Sequence, residues 1–181
     1  MRSLELGKHR KARVWINQLP DASFVPSVVA KVVISTDGTS GQGNIQAAIE
    51  LFIPLGPRAM YGLLGARFVA NQSGELIIEI GSTELAGDVV PDTLAMRGDI
   101  VRVGLPSEYI NGVSNGIELA LPDLAKLGAG VMTVSCAAYA EISSCEDIYS
   151  KVFRMLAALL SVGDSSMSDE ILIAAMTKAL S

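Results

Sequence analysis

The segment between Pro106 and Pro122 constrains this chain more than any other. Ile110, Val113, Ile117 and Ala120 recur there at steps of three and four residues, which aligns their side chains along one side of a helix. Proline suits a first helical position, where its missing N–H has no partner to lose, and Pro122 predicts the end of the helix. A helix with a single apolar stripe must lay it on something flat and apolar. The flanking sequence supplies that surface. Residues 100–103 and 131–139 read as strands, the second entered through Gly128-Ala129-Gly130.

Beyond this unit the pattern continues. Ser143 and Glu146 have the spacing of a capping box, and Ile148, Val152, Met155 and Leu159 predict a second helix, with Gly163 past its end. Residues 169–180 predict a third, opening on Asp169 and Glu170 and closing near Lys178, as the helix dipole favours. Towards the N-terminus, residues 14–16 and 27–34 read as strands around a Pro20…Pro26 turn region, and residues 36–44 as a loop. Residues 45–70 point two ways: Ile45, Ala48, Ile49 and Phe52 have helical spacing, yet Pro54 and Pro57 stop a helix. Residues 67–70 and 75–80 flank Asn71-Gln72-Ser73-Gly74 like two strands of a hairpin. The order predicts an α/β fold, an α+β two-layer sandwich. A single domain spans 14–181, with a strand-rich part at 14–73, a core at 74–160 and a C-terminal helix at 165–181, preceded by a basic arm at 1–13.

Such a sandwich needs a core, and half of the 181 residues are hydrophobic while 18% are charged. No apolar run reaches the roughly 18 residues of a membrane span, and Met1-Arg2-Ser3-Leu4-Glu5 lacks the apolar stretch of a secretory leader. Two cysteines are too few for a disulfide framework, which predicts a reducing compartment, the cytoplasm. The net charge of −5 is uneven: residues 1–13 carry Arg2, Lys8, Arg10, Lys11 and Arg13 against Glu5 alone, so the remainder is strongly acidic. An acidic body repels polyphosphate, leaving Lys8, Arg10, Lys11 and Arg13 as the nucleic-acid candidates.

Residues 104–118, Gly-Leu-Pro-Ser-Glu-Tyr-Ile-Asn-Gly-Val-Ser-Asn-Gly-Ile-Glu, resemble the first helix of domain four of the elongation factor G family, a P-x-E-Y-I-x-x-V-x-x-G-I-E pattern. Val131-Met132-Thr133-Val134 is similar to the family's next strand, Leu76-Ile77-Ile78-Glu79-Ile80 to the preceding one, and residues 139–149 to its Y-H-E-V-D-S-S-E-x-A-F segment. The resemblance covers about residues 74–160. It implies a β-α-β unit with a left-handed crossover and structural roles for Pro106, Glu108, Tyr109 and Gly116. Glycine inside a helix costs roughly 1 kcal/mol, so Gly116 predicts a close neighbour. The sequence departs from the family at its ribosome-facing loops. Residues 71–74 carry no positive charge, Ala140 stands at the histidine position, and Ala137-Ala138 replace Asp-Gly. No nucleotide-binding G-x-x-x-x-G-K-[ST] motif is present, which excludes translocase activity.

Little else points to chemistry. His9 stands apart from any acid or nucleophile cluster, Cys136 and Cys145 have no histidine partner, and no metal-ligand or cofactor pattern is visible. The acids Glu75, Glu79, Glu84, Asp88, Asp92 and Asp99 are dispersed and read as a solvated face. The ligand-loop candidates are Asp37, Gly38, Ser40, Gly41, Gly43 and Asn44, whose successive glycines can turn N–H groups towards an anion but which lack a phosphate-loop lysine. The resulting expectation is a non-catalytic binding module that contacts another protein or itself, as a homo-oligomer. A ribosome- or RNA-associated factor and a small-molecule enzyme with a pocket at 37–44 are the alternatives.

Overall fold

The computed structural model describes residues 1–37, 43–162 and 167–180. Eight strands among them form one sheet: β1 (Arg2–Glu5), β2 (Lys11–Ile16), β3 (Val28–Ser35), β4 (Asn44–Leu55), β5 (Arg58–Ala70), β6 (Glu75–Ser82), β7 (Val101–Val103) and β8 (Gly130–Ala140). Their order is β1-β2-β4-β5-β8-β6-β3, with β7 on β8. Four helices, α1 (Ile110–Leu119), α2 (Leu121–Leu127), α3 (Glu146–Val162) and α4 (Asp169–Ala179), complete the fold, which is mixed α/β. The largest buried cluster joins the helices to one side of the sheet, and a second cluster lies on the other side around Tyr61, Leu63, Cys136 and Ala138.

The doubtful stretch 45–70 is the backbone of the sheet. β4 and β5 form a long hairpin closed by Gly56-Pro57, with Leu55 opposite Arg58. Gly56 has φ +66, and glycine at a positive φ in the first central position matches the twist a two-residue hairpin loop requires. Pro54 lies beyond the ladder with β2, which ends at Lys11 opposite Phe52, so no pairing there is lost. The helical spacing misled because Ala47 to Leu51 are buried consecutively. A strand covered on both faces loses its alternation and reads as a continuous run.

Four other expectations change. Residues 71–74 are not a hairpin turn: β8 lies between β5 and β6, antiparallel to the first and parallel to the second. Pro122 opens α2 rather than simply closing α1, since the first turn of a helix also tolerates a missing N–H. Pro106 precedes a 3-10 turn at Ser107–Tyr109, and the α-helix begins at Ile110. Residues 2–5 and 11–16 are paired strands at one edge of the sheet, so most of the basic start is part of the sheet.

The two faces of β8 exchange partway along. The register slips at Gly65/Ala66, where Gly65 pairs with Cys136 and Ala66 with Val134. Ser135 is thus extra, and a bulge of one residue reverses the side-chain alternation. Met132 and Val134 point to the helices before it; Cys136 and Ala138 belong to the opposite cluster after it.

α1 crosses α3 at very short range. A Cβ on Gly112 would stand 2.2 Å from the Glu146 carbonyl oxygen, and one on Gly116 would stand 2.8 Å from that of Ser150. The close neighbour expected at Gly116 is therefore α3, and Gly112 shares the role one turn earlier. Tyr109 stacks on Tyr149 of α3 at 4.9 Å between ring centroids, and its hydroxyl reaches the Ser144 carbonyl at 3.5 Å. Glu108 is exposed in the turn before α1.

Candidate functional site

The basic residues of the start are largely committed to the chain's own acids. Arg13 pairs with Glu50 and Asp92, Lys11 with Glu5, and Arg2 with Asp169. Lys8 and His9 are exposed in the β1–β2 turn with φ of 51 and 61, and Arg10 donates to the Gly7 carbonyl. Of the ligand-loop candidates, Gly38, Ser40 and Gly41 lie outside the described residues. Asp37 and Gly43 are exposed, and Asn44 begins β4 opposite Val69. Cys136 and Cys145 are both free thiols and pack with different clusters, one on each face of the sheet. Burial pushes the Cys136 thiol up to about 12, so it stays protonated.

One of the acids read as solvated is structural. Asp99 accepts hydrogen bonds from the Ile142 and Ser143 amides and from the Ser143 hydroxyl, at 3.0, 3.0 and 2.6 Å. Ser143 is thereby turned away from a capping box with Glu146. The next residue, Ser144, donates to the Tyr61 carbonyl at 2.7 Å, which ties the entry of α3 to β5.

Among the described residues, the sheet face opposite the helices is covered over one half only: residues 17–27 and 84–100 lie over the half that carries Tyr61, Leu63 and Ala138, and the other half is open. There, Val33, Ile77, Val131 and Val69 stand side by side across β3, β6, β8 and β5. The next row is Lys31, Glu79, Thr133 and Arg67, in which Lys31 and Glu79 form an ion pair at 2.9 Å. Val29, Val33 and Val69 are 47%, 56% and 44% exposed. β3 is also a terminal strand of eight residues, while the opposite terminal strand, β1, has four and carries Arg2 and Glu5. β3 carries one charge, Lys31, which is neutralised by Glu79. A long, largely apolar edge strand is a template for pairing, which most proteins blunt.

The covered half hides a carboxylate that sequence reasoning missed. Glu50 of β4 is 1% exposed. Its Oε1 accepts from the Tyr61 hydroxyl at 2.9 Å and from the Leu94 amide at 2.7 Å; its Oε2 accepts no hydrogen bond and faces the Arg13 guanidinium at 3.5 Å. Arg13 in turn reaches Asp92 at 2.9 Å. The arrangement fastens residues 92–94 to the sheet. Beside it is a cavity of about 560 Å³ between residues 20–24 and 87–92, with Trp15, Phe24 and Leu63 among its walls and Glu50 in its lining. The one sequence signal was an acid inside an otherwise apolar run.

Burial raises the Glu50 pKa above its ordinary 4.5, against the lowering effects of the Leu94 amide, Tyr61 and Arg13. A carboxyl that binds its proton more tightly when folded makes stability greatest at low pH and erodes it as pH rises from 4.5 through the folded-state value. Thermal unfolding in buffers spanning that window is expected to show this decline in the wild type and its loss in E50Q, which keeps an acceptor for Tyr61 and Leu94. An equal slope in both proteins overturns the assignment.

No helix among the described residues is long and apolar enough to cross a membrane, and no group of three or more His, Cys, Asp or Glu residues among them is placed to hold a metal ion. The chain matches no protein-family model, and no curated protein matches it significantly.

Proposed function

We propose that the chain is a non-catalytic binding module of the cytoplasm that acts by pairing with a second copy of itself through β3 and the open sheet face beside it. The observation that carries this reading is the eight-residue edge, uncapped among the described residues, with exposed Val29 and Val33. Charge supports a second copy as the occupant. The body is acidic, yet Lys31 and Glu79 cancel on this face, so two copies meet there without the repulsion they have elsewhere. Antiparallel pairing centred on Val32 sets Lys31 opposite Val33 of the other copy, so like charges do not oppose across the seam. Light scattering is expected to give the mass of a dimer, and Val33→Lys to weaken association at least about tenfold without changing the thermal midpoint. A wild type that is strictly monomeric at high concentration sinks the proposal.

We read residues 74–160 as a module similar to domain four of elongation factor G, with a left-handed β6–β8 crossover. Support comes from the parallel β6–β8 neighbours, the helical connection between them, and the glycine-mediated seat of α1 on α3. One observation favours a second partner class, a ribosome or structured RNA. Arg58 and Arg97 stand together beside Ile142 and Ser143, exposed and without an ion pair among the described residues. Co-sedimentation with ribosomes that fades with salt and is abolished by the R58E/R97E variant supports it; none at low salt refutes it.

A further inference from the structure

Three separated segments meet beside the β4–β5 turn around a cavity of about 470 Å³, within the range of small-molecule sites, roughly 300–1,000 Å³. Arg58, at the start of β5, and Arg97, in the 84–100 loop, both line it, and both are exposed. Arg2, Arg13 and Arg102 are held by carboxylates, whereas Arg58 and Arg97 have no ion pair among the described residues. Asp99 is two positions from Arg97 and is the one carboxylate among the described lining residues. Its two oxygens instead accept from the Ile142 and Ser143 amides and the Ser143 hydroxyl. Those bonds fix residues 96–99 to the turn after β8. The Asp99 amide also donates to the Met96 carbonyl at 3.0 Å, and the Tyr61 amide to that of Ser143 at 3.1 Å. A frame already ordered loses less freedom when a ligand arrives. The remaining walls are apolar: Pro57 and Ala59 flank Arg58, and Ile142 and Met96 are 81% and 44% exposed. Two arginines on a flat surface would be solvated; set in a concavity with bare apolar side chains, they match a ligand with an anionic head and an apolar body. Charge decides its size. The chain beyond residue 13 is strongly acidic, so a long polyphosphate is repelled along its length, while a small anion meets chiefly the two guanidiniums. Forked guanidinium donors fit phosphate oxygens, and two of them balance a dianion.

We propose that this cavity binds a small organic phosphate monoester, its phosphate held between Arg58 and Arg97 and its apolar body against Ile142 and Met96. No reaction is implied. The proposal shares the arginine pair with the RNA reading above and does not depend on it. Recognition of the head is electrostatic at an exposed site, so it weakens as salt rises.

The full chain is titrated with phenyl phosphate, inorganic phosphate, neutral benzyl alcohol and an oligouridylate without a terminal phosphate, and the amide resonances are followed by NMR. Phenyl phosphate is expected to shift the Ala59, Gly98 and Ile142 amides saturably, in the micromolar to millimolar range. Inorganic phosphate, which has no apolar body, is expected to bind at least about tenfold more weakly, and benzyl alcohol to leave these amides unmoved. The R58Q/R97Q variant changes two exposed side chains and is expected to weaken phenyl phosphate about tenfold or more at an unchanged thermal midpoint. Ile142→Ser is expected to weaken phenyl phosphate and leave inorganic phosphate as it was. Val33→Lys, at β3, is expected to bind as the wild type does, which separates this site from self-association. No shift with phenyl phosphate, equal binding of inorganic phosphate or of the alcohol, or unchanged binding in R58Q/R97Q overturns the proposal. A response to the oligouridylate without one to phenyl phosphate overturns it in favour of RNA; the reverse result upholds it.

Discussion

Gly112→Ala is expected to lower the thermal midpoint by roughly 6–12 °C, from a loss of about 3 kcal/mol in a chain of this size. Taken alone, α1 would gain from the change, since alanine is favoured over glycine inside a helix by roughly 1 kcal/mol. The new methyl group, however, would sit 2.2 Å from the Glu146 carbonyl oxygen and 2.8 Å from the Glu146 Cα. These are backbone atoms at the start of α3 and cannot rotate aside, so α1 and α3 must separate. That separation loosens Val113 and Ile117, both buried against the sheet. Gly116→Ala meets softer limits, at 2.8 Å from the Ser150 oxygen and 2.9 Å from the Phe153 Cβ, and is expected to cost less. Asn115→Ala, exposed on the same helix, is the control and is expected to be neutral or mildly stabilising. Calorimetry on the four proteins checks the order; a Gly112→Ala midpoint at or above that of the wild type refutes the contact.

Arg13→Met has the second large effect. Near neutral pH it removes the only cation among the described residues that faces a carboxylate 1% exposed, and breaking one side of a buried pair costs on the order of 3–5 kcal/mol. The remaining hydrogen bonds from Tyr61 and Leu94 satisfy Oε1 only. Because the Glu50 pKa is already raised by burial, protonation relieves the defect, and the penalty is expected to shrink as pH falls. Combining Arg13→Met with E50Q removes both charges and is expected to recover most of the loss. Urea unfolding of the four members of this cycle measures the coupling, and simple additivity of the two single changes would contradict it.

These residues also show what the sequence reveals and conceals. α1 and α4 were legible because each buries one side only, and a single buried side imposes a period of 3.6. α3 was legible from its first turns, before the run Met155 to Ser161 that is buried all round. β4 was not, because helices cover one face and residues 84–100 reach the other, so Ala47 to Leu51 carry no alternation. The insertion of β8 between β5 and β6 depends on partners about sixty positions apart and leaves no local mark. Gly116 announced a close contact through the oddity of a glycine within a helix. Glu50 was overlooked because an acid is ordinarily read as solvated; its partners Arg13, Tyr61 and Leu94 come from three separate segments. The open valine row is likewise a product of register, since Val33, Ile77, Val131 and Val69 are neighbours only once four strands are aligned.

The position of β8 has a consequence for how the chain is made. Until residue 140 has been synthesised, β1, β2, β4 and β5 can assemble as one fragment and β3 with β6 as another, but nothing holds the two together. Both fragments then present bare inner rims during translation, at β5 and at β6, in addition to the permanent rim at β3. Late arrival of the joining strand makes productive folding slow relative to local hairpin closure, and leaves the nascent chain most exposed to mispairing until residues 130–140 are in place.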